Sequence, residues 1–145
     1  MTEKAEYPTI KSRTLTLTHD IPICKTKTYW EGLKAGKVHA AKCKKCGEIY
    51  YPPQADCPKC LSSQIEWIEL SEGEIETFTK VSLKPQGFNH YKEDFIIAIA
   101  KTPEGAKVMG WLENTDVESI KPGAHIKITA KIMPDGFPTI ILKQA

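Results

Sequence analysis

Residues 43–60 read CKKCGEIYYPPQADCPKC, and this stretch decides the fold. It holds two C-x2-C pairs, Cys43/Cys46 and Cys57/Cys60, separated by ten residues. Two residues between cysteines let both thiolates face one ion from a tight turn, and Gly47 supplies the backbone freedom such a knuckle needs. Two knuckles at opposite ends of a short hairpin complete a tetrahedral, all-sulfur site. Four thiolates fill the coordination shell, so the expected site is structural and leaves no open position for water or substrate. Its role is to hold together a segment too small to bury a core of its own.

Zinc is the expected ion, with iron as the alternative, because CKKCGEIYYP at 43–52 resembles the first knuckle of rubredoxins. Rubredoxins separate their knuckles by considerably more than ten residues, which favours zinc. Disulfides are disfavoured in a chain read as intracellular, and thioredoxin-like chemistry needs a single C-x-x-C opening a helix after a strand. The fifth cysteine, Cys24 in IPIC, reads as a small half-buried hydrophobe. His19, His39, His90 and His125 are scattered and read as surface or packing residues, with a ligand or supporting role near the first knuckle as the alternative for His39.

Outward from the ribbon, Lys25–Ala35 carries Tyr29, Trp30 and Leu33 at spacings of three and four before Gly36, the pattern of a short amphipathic helix stopped by glycine. TLTLT at 14–18 alternates with period two and reads as a strand or extended arm. Val38–Lys42 and Glu48–Tyr51 are the expected ribbon strands, and Ile65–Leu70 leads out of the ribbon. Five further strands are expected at Gly73–Leu83, Phe95–Lys101, Lys107–Glu113, Ala124–Met133 and Pro138–Lys143, with turns at 85–87, 102–105, 121–123 and 134–136. The third connection is longer and has a helical signal at Asp116–Ile120. Five strands so spaced predict a Greek-key barrel of the OB type, with an SH3-like barrel as the alternative. The fold class is thus mainly β, divided into an arm and helix (1–37), a four-cysteine ribbon (38–66) and an OB-fold (67–145).

Composition sets limits on function. The chain of 145 residues is 41% hydrophobic and 26% charged, which is globular. Its longest apolar run, Phe95–Ala100, is too short to span a bilayer, and no apolar leader follows MTEKAEYPTI, so a soluble, cytoplasmic protein without membrane association is expected. Residues 1–62 hold 11 basic against 6 acidic side chains, and residues 63–145 hold 9 against 12. Arg13 is the sole arginine. An acidic back half almost without arginine argues against a nucleic-acid module, although zinc ribbons and OB-folds both serve that role.

Read at period two, the first barrel strand sets Ile75, Thr77, Thr79 and Val81 on one face and Glu74, Glu76, Phe78 and Lys80 on the other. The third sets Lys107, Met109, Trp111 and Glu113 together. Phe78 with Lys80 and Trp111 with Lys107 are therefore candidate ligand residues, an aromatic to stack a base and a lysine to meet a phosphate. The competing reading packs Phe78 and Trp111 under the ribbon or helix, or has a bulge in a curved strand reverse the parity. His125, Lys127, Thr129 and Lys131 share a face read as solvated. No paired carboxylates, nucleophile with a base, or open metal site stands out, so no catalytic residue is assigned.

YWEGLKAGKV at 29–38, CKKCG at 43–47, YPP at 51–53, CPKC at 57–60 and WIELSEGEI at 67–75 together resemble the DUF35 family over about residues 25–143. Ser71 departs from the family pattern, which usually has glycine there. The resemblance implies a helical segment and rubredoxin-like zinc ribbon joined to an OB-fold. It also implies a non-catalytic partner of acyl-CoA enzymes. Archaeal members imply a scaffold between acetoacetyl-CoA thiolase and hydroxymethylglutaryl-CoA synthase, with the OB part able to hold CoA or acyl-CoA. Related domains in bacterial steroid degradation imply assistance to hydratases and aldolases acting on acyl-CoA. A single-stranded nucleic-acid-binding module is the alternative.

Overall fold

Helix α1 spans Lys27–Lys34 and buries Gly32 and Leu33. Its end is a Schellman turn: the Lys37 N–H reaches the Gly32 carbonyl at 2.8 Å and the Gly36 N–H the Leu33 carbonyl at 3.1 Å. Gly36 has φ +79°, the left-handed conformation this cap requires. The computed structural model describes residues 8, 10, 12–13, 17–82, 94–113 and 116–145. Most of TLTLT (14–16), Leu83, the turn at 85–87, His90 and the start of the third barrel connection lie outside the described residues. Leu17 and Thr18 are exposed and belong to no strand.

Three strands form the ribbon sheet, β1 (His39–Cys43), β2 (Ile49–Tyr50) and β3 (Ile65–Glu69), in the order β2-β1-β3. β3 is more than an exit from the ribbon: it pairs antiparallel with all of β1, from His39 opposite Glu69 to Cys43 opposite Ile65. Ala40, Ala41 and Cys43 of β1 are fully buried. Val38, Ala40, Leu70 and Leu33 of α1 belong to the same apolar cluster as the barrel interior. No helix among the described residues is long and apolar enough to cross a membrane.

The remaining strands are β4 (Glu72–Val81), β5 (Phe95–Lys101), β6 (Lys107–Glu113), β7 (His125–Ile132) and β8 (Pro138–Gln144). They close into a barrel in the order β4-β5-β6-β8-β7, with β6 and β8 parallel and the other neighbours antiparallel. A short 3-10 helix at Val117–Ser119 occupies the β6–β7 connection. This is the five-stranded Greek-key closure of an OB-fold. The interior is tapered by small residues, Ala98, Ala100 and Gly110. A β-carbon on Gly110 would lie 2.9 Å from Ile140 Cγ2 and 3.0 Å from the Ile140 carbonyl, so only glycine admits the close β6–β8 approach.

The alternation read for β4 does not hold along its length. The register against β5 shifts between Ile75 and Thr77. Ile75 is buried, Thr77 and Thr79 are exposed, and Phe78 packs against the core opposite Ala98. The bulge is the physical reason: one extra residue reverses every side chain beyond it. Cys24 also differs from expectation, being exposed and free.

Candidate metal centre and the outer barrel face

The two knuckles are built alike. In the first, the Gly47 N–H donates to the Cys43 carbonyl at 2.8 Å and the Cys43 N–H to the Glu48 carbonyl at 2.8 Å. In the second, the Leu61 N–H donates to the Cys57 carbonyl at 2.8 Å and the Cys57 N–H to the Ser62 carbonyl at 2.9 Å. Gly47 has φ +76°, and Leu61, its counterpart, has φ +58°. Sequence pattern does not flag Leu61, because leucine rarely adopts the left-handed region.

The four sulfurs of Cys43, Cys46, Cys57 and Cys60 lie within 4.8 Å of one another. Cys43 Sγ is 3.6 Å from Cys60 Sγ, and Cys46 Sγ is 3.5 Å from Cys57 Sγ. Tetrahedral Zn–S bonds of about 2.3 Å require sulfurs about 3.8 Å apart, so the donor set fits a four-coordinate ion. Cys43 and Cys57 are fully buried, whereas Cys46 is exposed. Tyr50 Oη lies 3.0 Å from Cys57 Sγ, a contact that sequence spacing does not reveal. His39 lies outside the tetrad, with its Nδ1 buried and unpartnered against Gly32.

The thiols are electrostatically unequal. Burial opposes ionisation of Cys57, yet the Tyr50 hydroxyl and the Cys60 and Lys59 N–H groups bring it down to about 6. The Cys46 N–H holds Cys43 below the usual thiol value against its burial. Cys46 is stabilised as thiolate by the Glu48 N–H, but lost hydration and its three thiol neighbours push it up to about 12. The Ser62 N–H favours the Cys60 thiolate, but lost hydration and the Cys43 and Cys57 thiols raise it. Each close sulfur pair therefore joins a lowered thiol to a raised one, and loading an ion displaces the shared protons.

The four candidate ligand residues fall in different places. Trp111 and Lys107 both stand on the outer face of β6. Trp111 stacks on Phe95 at 4.4 Å with an interplanar angle of 11°. Phe78 faces the core side of β4, and Lys80, one residue before the strand's end, makes an ion pair with Asp94 at 3.2 Å. Lys107 pairs with Glu76 at 2.7 Å. Lys131 and Lys143 both hold Glu113, at 3.1 and 3.4 Å, and with Lys131 as the leading cause they depress its carboxyl below the usual range. Beside Trp111 a groove of about 290 Å3 runs between α1 and the barrel, lined by Tyr29, Trp30, Met109 and Phe137 among others. Met109 is 61% and Phe137 63% exposed. A larger cleft, about 620 Å3, lies at the β4–β7 seam and mixes Glu72 and Glu74 with Lys101 and Lys127.

Comparison with known proteins places this architecture. Residues 30–66 match the family described as ChsH2, rubredoxin-like zinc ribbon domain, and residues 67–131 match ChsH2, C-terminal OB-fold domain. A DUF35 domain-containing scaffold protein of Methanocaldococcus jannaschii is 31% identical over 69% of this chain and 72% of its own. One from Pyrococcus furiosus is 32% identical over 72% of this chain and 77% of its own. The benzoylsuccinyl-CoA thiolase subunit BbsA of Thauera aromatica is 26% identical over 70% of this chain and 71% of its own. Among solved structures, an Ltp2-ChsH2(DUF35) aldolase superposes with a TM-score of 0.71 at 16% identity, over 81% of this chain and 92% of that one. A DUF35-family protein from Sulfolobus solfataricus gives 0.57 at 23% identity, over 84% and 86%. At these identities the two structures establish the fold alone.

Proposed function

The chain belongs to the DUF35 family of ChsH2-type zinc-ribbon and OB-fold proteins, and from that premise we propose that it is a non-catalytic accessory protein for an enzyme acting on acyl-CoA. The observation that carries this reading is the sulfur-only tetrad. Four thiolates saturate an ion, so the metal centre fastens the ribbon and offers no Lewis-acid position to a substrate. Relatives named as scaffold proteins and as a thiolase subunit support the same role. Zinc is the ion we assign to the tetrad, on the ribbon geometry and knuckle spacing.

In this reading the enzyme partner is of the thiolase or hydroxymethylglutaryl-CoA synthase type. The CoA carrier is met on the outer face of β6, where Trp111 offers an aromatic surface and Lys107 a cation within the same strand. Phe78 is excluded from that surface by its inward turn. The acidic balance of residues 63–145, with 12 acidic against 9 basic side chains, weakens the nucleic-acid alternative.

Co-expression with a thiolase-type enzyme from the same organism tests the reading. A stable complex that gains thioester turnover over the enzyme alone, while the purified chain has none, is the expected result. Turnover by the chain alone, or salt-sensitive recovery of nucleic acid in place of enzyme, overturns it. Titrating the chain with CoA while following tryptophan fluorescence tests the carrier site separately: a Trp111→Leu variant loses the response if the site is as assigned.

A further inference from the structure

We propose that Tyr50 is a positioning residue of the metal centre, its phenol donating a hydrogen bond to the Cys57 thiolate and thereby fixing the charge on that ligand. The inference is independent of which enzyme the chain serves. A metal-bound cysteine has lost its proton, so across the 3.0 Å contact between Tyr50 Oη and Cys57 Sγ only the phenol can donate. Cys57 is the ligand that needs it. It is fully buried, and its backbone donors are the Cys60 N–H, at the longer distance of 3.4 Å, and the Lys59 N–H. Four thiolates around a divalent ion leave two negative charges uncompensated, and Cys57 has no water to share its part of that charge. Each donor to sulfur spreads the charge and holds the ligand in place.

The local chain explains why this residue reaches the sulfur. Tyr50 sits on β2 opposite Ala41 of β1, one residue before Tyr51. Strand alternation sends the two tyrosines to opposite sides. Tyr51 meets the ring of Tyr29 on α1 at 6.3 Å, and Tyr50 turns toward the second knuckle. The β2 strand thus contributes one aromatic to helix packing and one to the ion.

Tyr50→Phe keeps the ring and removes the donor; Tyr29→Phe removes a hydroxyl that faces Tyr51, not sulfur. In the cobalt-substituted full chain, Tyr50→Phe is expected to move the sulfur-to-cobalt charge-transfer band to lower energy. In the zinc form it should speed transfer of the ion to a chromogenic chelator by roughly tenfold. Tyr29→Phe should match wild type in both. A Tyr50→Phe chain with unchanged band and transfer rate overturns the proposal, as does an equal effect of Tyr29→Phe. The unmutated chain loaded with 113Cd gives an independent reading that needs no variant to fold. The Tyr50 hydroxyl proton should exchange slowly and show coupling to cadmium; rapid exchange without coupling overturns the assignment.

Discussion

The hydroxyl of Thr129 on β7 donates to the carbonyl oxygen of Gly36 at 2.9 Å, joining the end of helix α1 to the barrel across 93 residues of sequence. The Ala130 N–H reaches the same carbonyl at 3.2 Å. One helix-terminal acceptor therefore takes two bonds from a barrel strand, satisfying a carbonyl that the helix itself leaves unpaired. Together with the apolar cluster running from Leu33 and Val38 to Ile126 and Leu142, this contact seats the helix against the barrel. The groove beside Trp111 exists because α1 is held there.

Thr129→Val keeps the shape of the side chain and deletes the side-chain donor. The expected loss is about 1 kcal/mol in urea unfolding, since the Gly36 carbonyl keeps its bond from Ala130. A variant as stable as wild type would mean that the hydroxyl bond merely replaces one to water.

Gly32 is a site where helix propensity and packing give opposite signs. Glycine to alanine in an open helix position stabilises by about 1 kcal/mol. Here a β-carbon would fall 2.7 Å from His39 Cε1 and 3.2 Å from the Lys37 carbonyl. Gly32→Ala is therefore expected to destabilise by roughly 1–3 kcal/mol. Adding His39→Ala should restore much of the loss, and a double-mutant cycle by thermal unfolding measures the coupling.

Glu113 makes stability depend on pH in a defined direction. Its carboxyl is held below the ordinary range by Lys131 first and Lys143 second, against some burial. A depressed carboxylate contributes above its unfolded value and loses the contribution as pH falls through its folded value. Wild type should exceed Glu113→Gln by roughly 0.5–1 kcal/mol at neutral pH. The gap should persist down to the ordinary glutamate range and close in more acidic solution. Chemical unfolding across that range checks it.

Removing the ion should open the ribbon and spare the barrel. Ion binding to such tetrads is worth on the order of 10 kcal/mol, more than a three-stranded sheet this short can replace by packing. Treatment with a chelator, or Cys57→Ser, is expected to expose residues 38–65 to protease while β4–β8 stay protected. Mass spectrometry of the fragments reads the result directly, and an uncut ribbon after metal loss would contradict it.

Much of this molecule is written in short-range signals. The C-x2-C spacing states the tetrad because each knuckle closes within five residues and needs no distant partner. Barrel strands are legible at β5 and β6, where the apolar run Phe95–Ala100 and the alternating Lys107–Glu113 flank the turn at 102–105. Helix α1 and its Gly36 stop follow from apolar spacing and one glycine. Long-range pairing decided the rest. A bulge near Glu76 turned Phe78 into the core, because parity beyond a bulge depends on the partner strand, while Trp111 kept the outward face that the period of β6 predicts. β3 became the third ribbon strand by pairing with β1, a choice that an IEWIEL segment does not announce. Tyr50 met Cys57, and Thr129 met Gly36, through side-chain bonds across the folded chain. Periodicity and spacing record what neighbours in sequence must do; which atoms finally touch is set when distant segments compete for the same space.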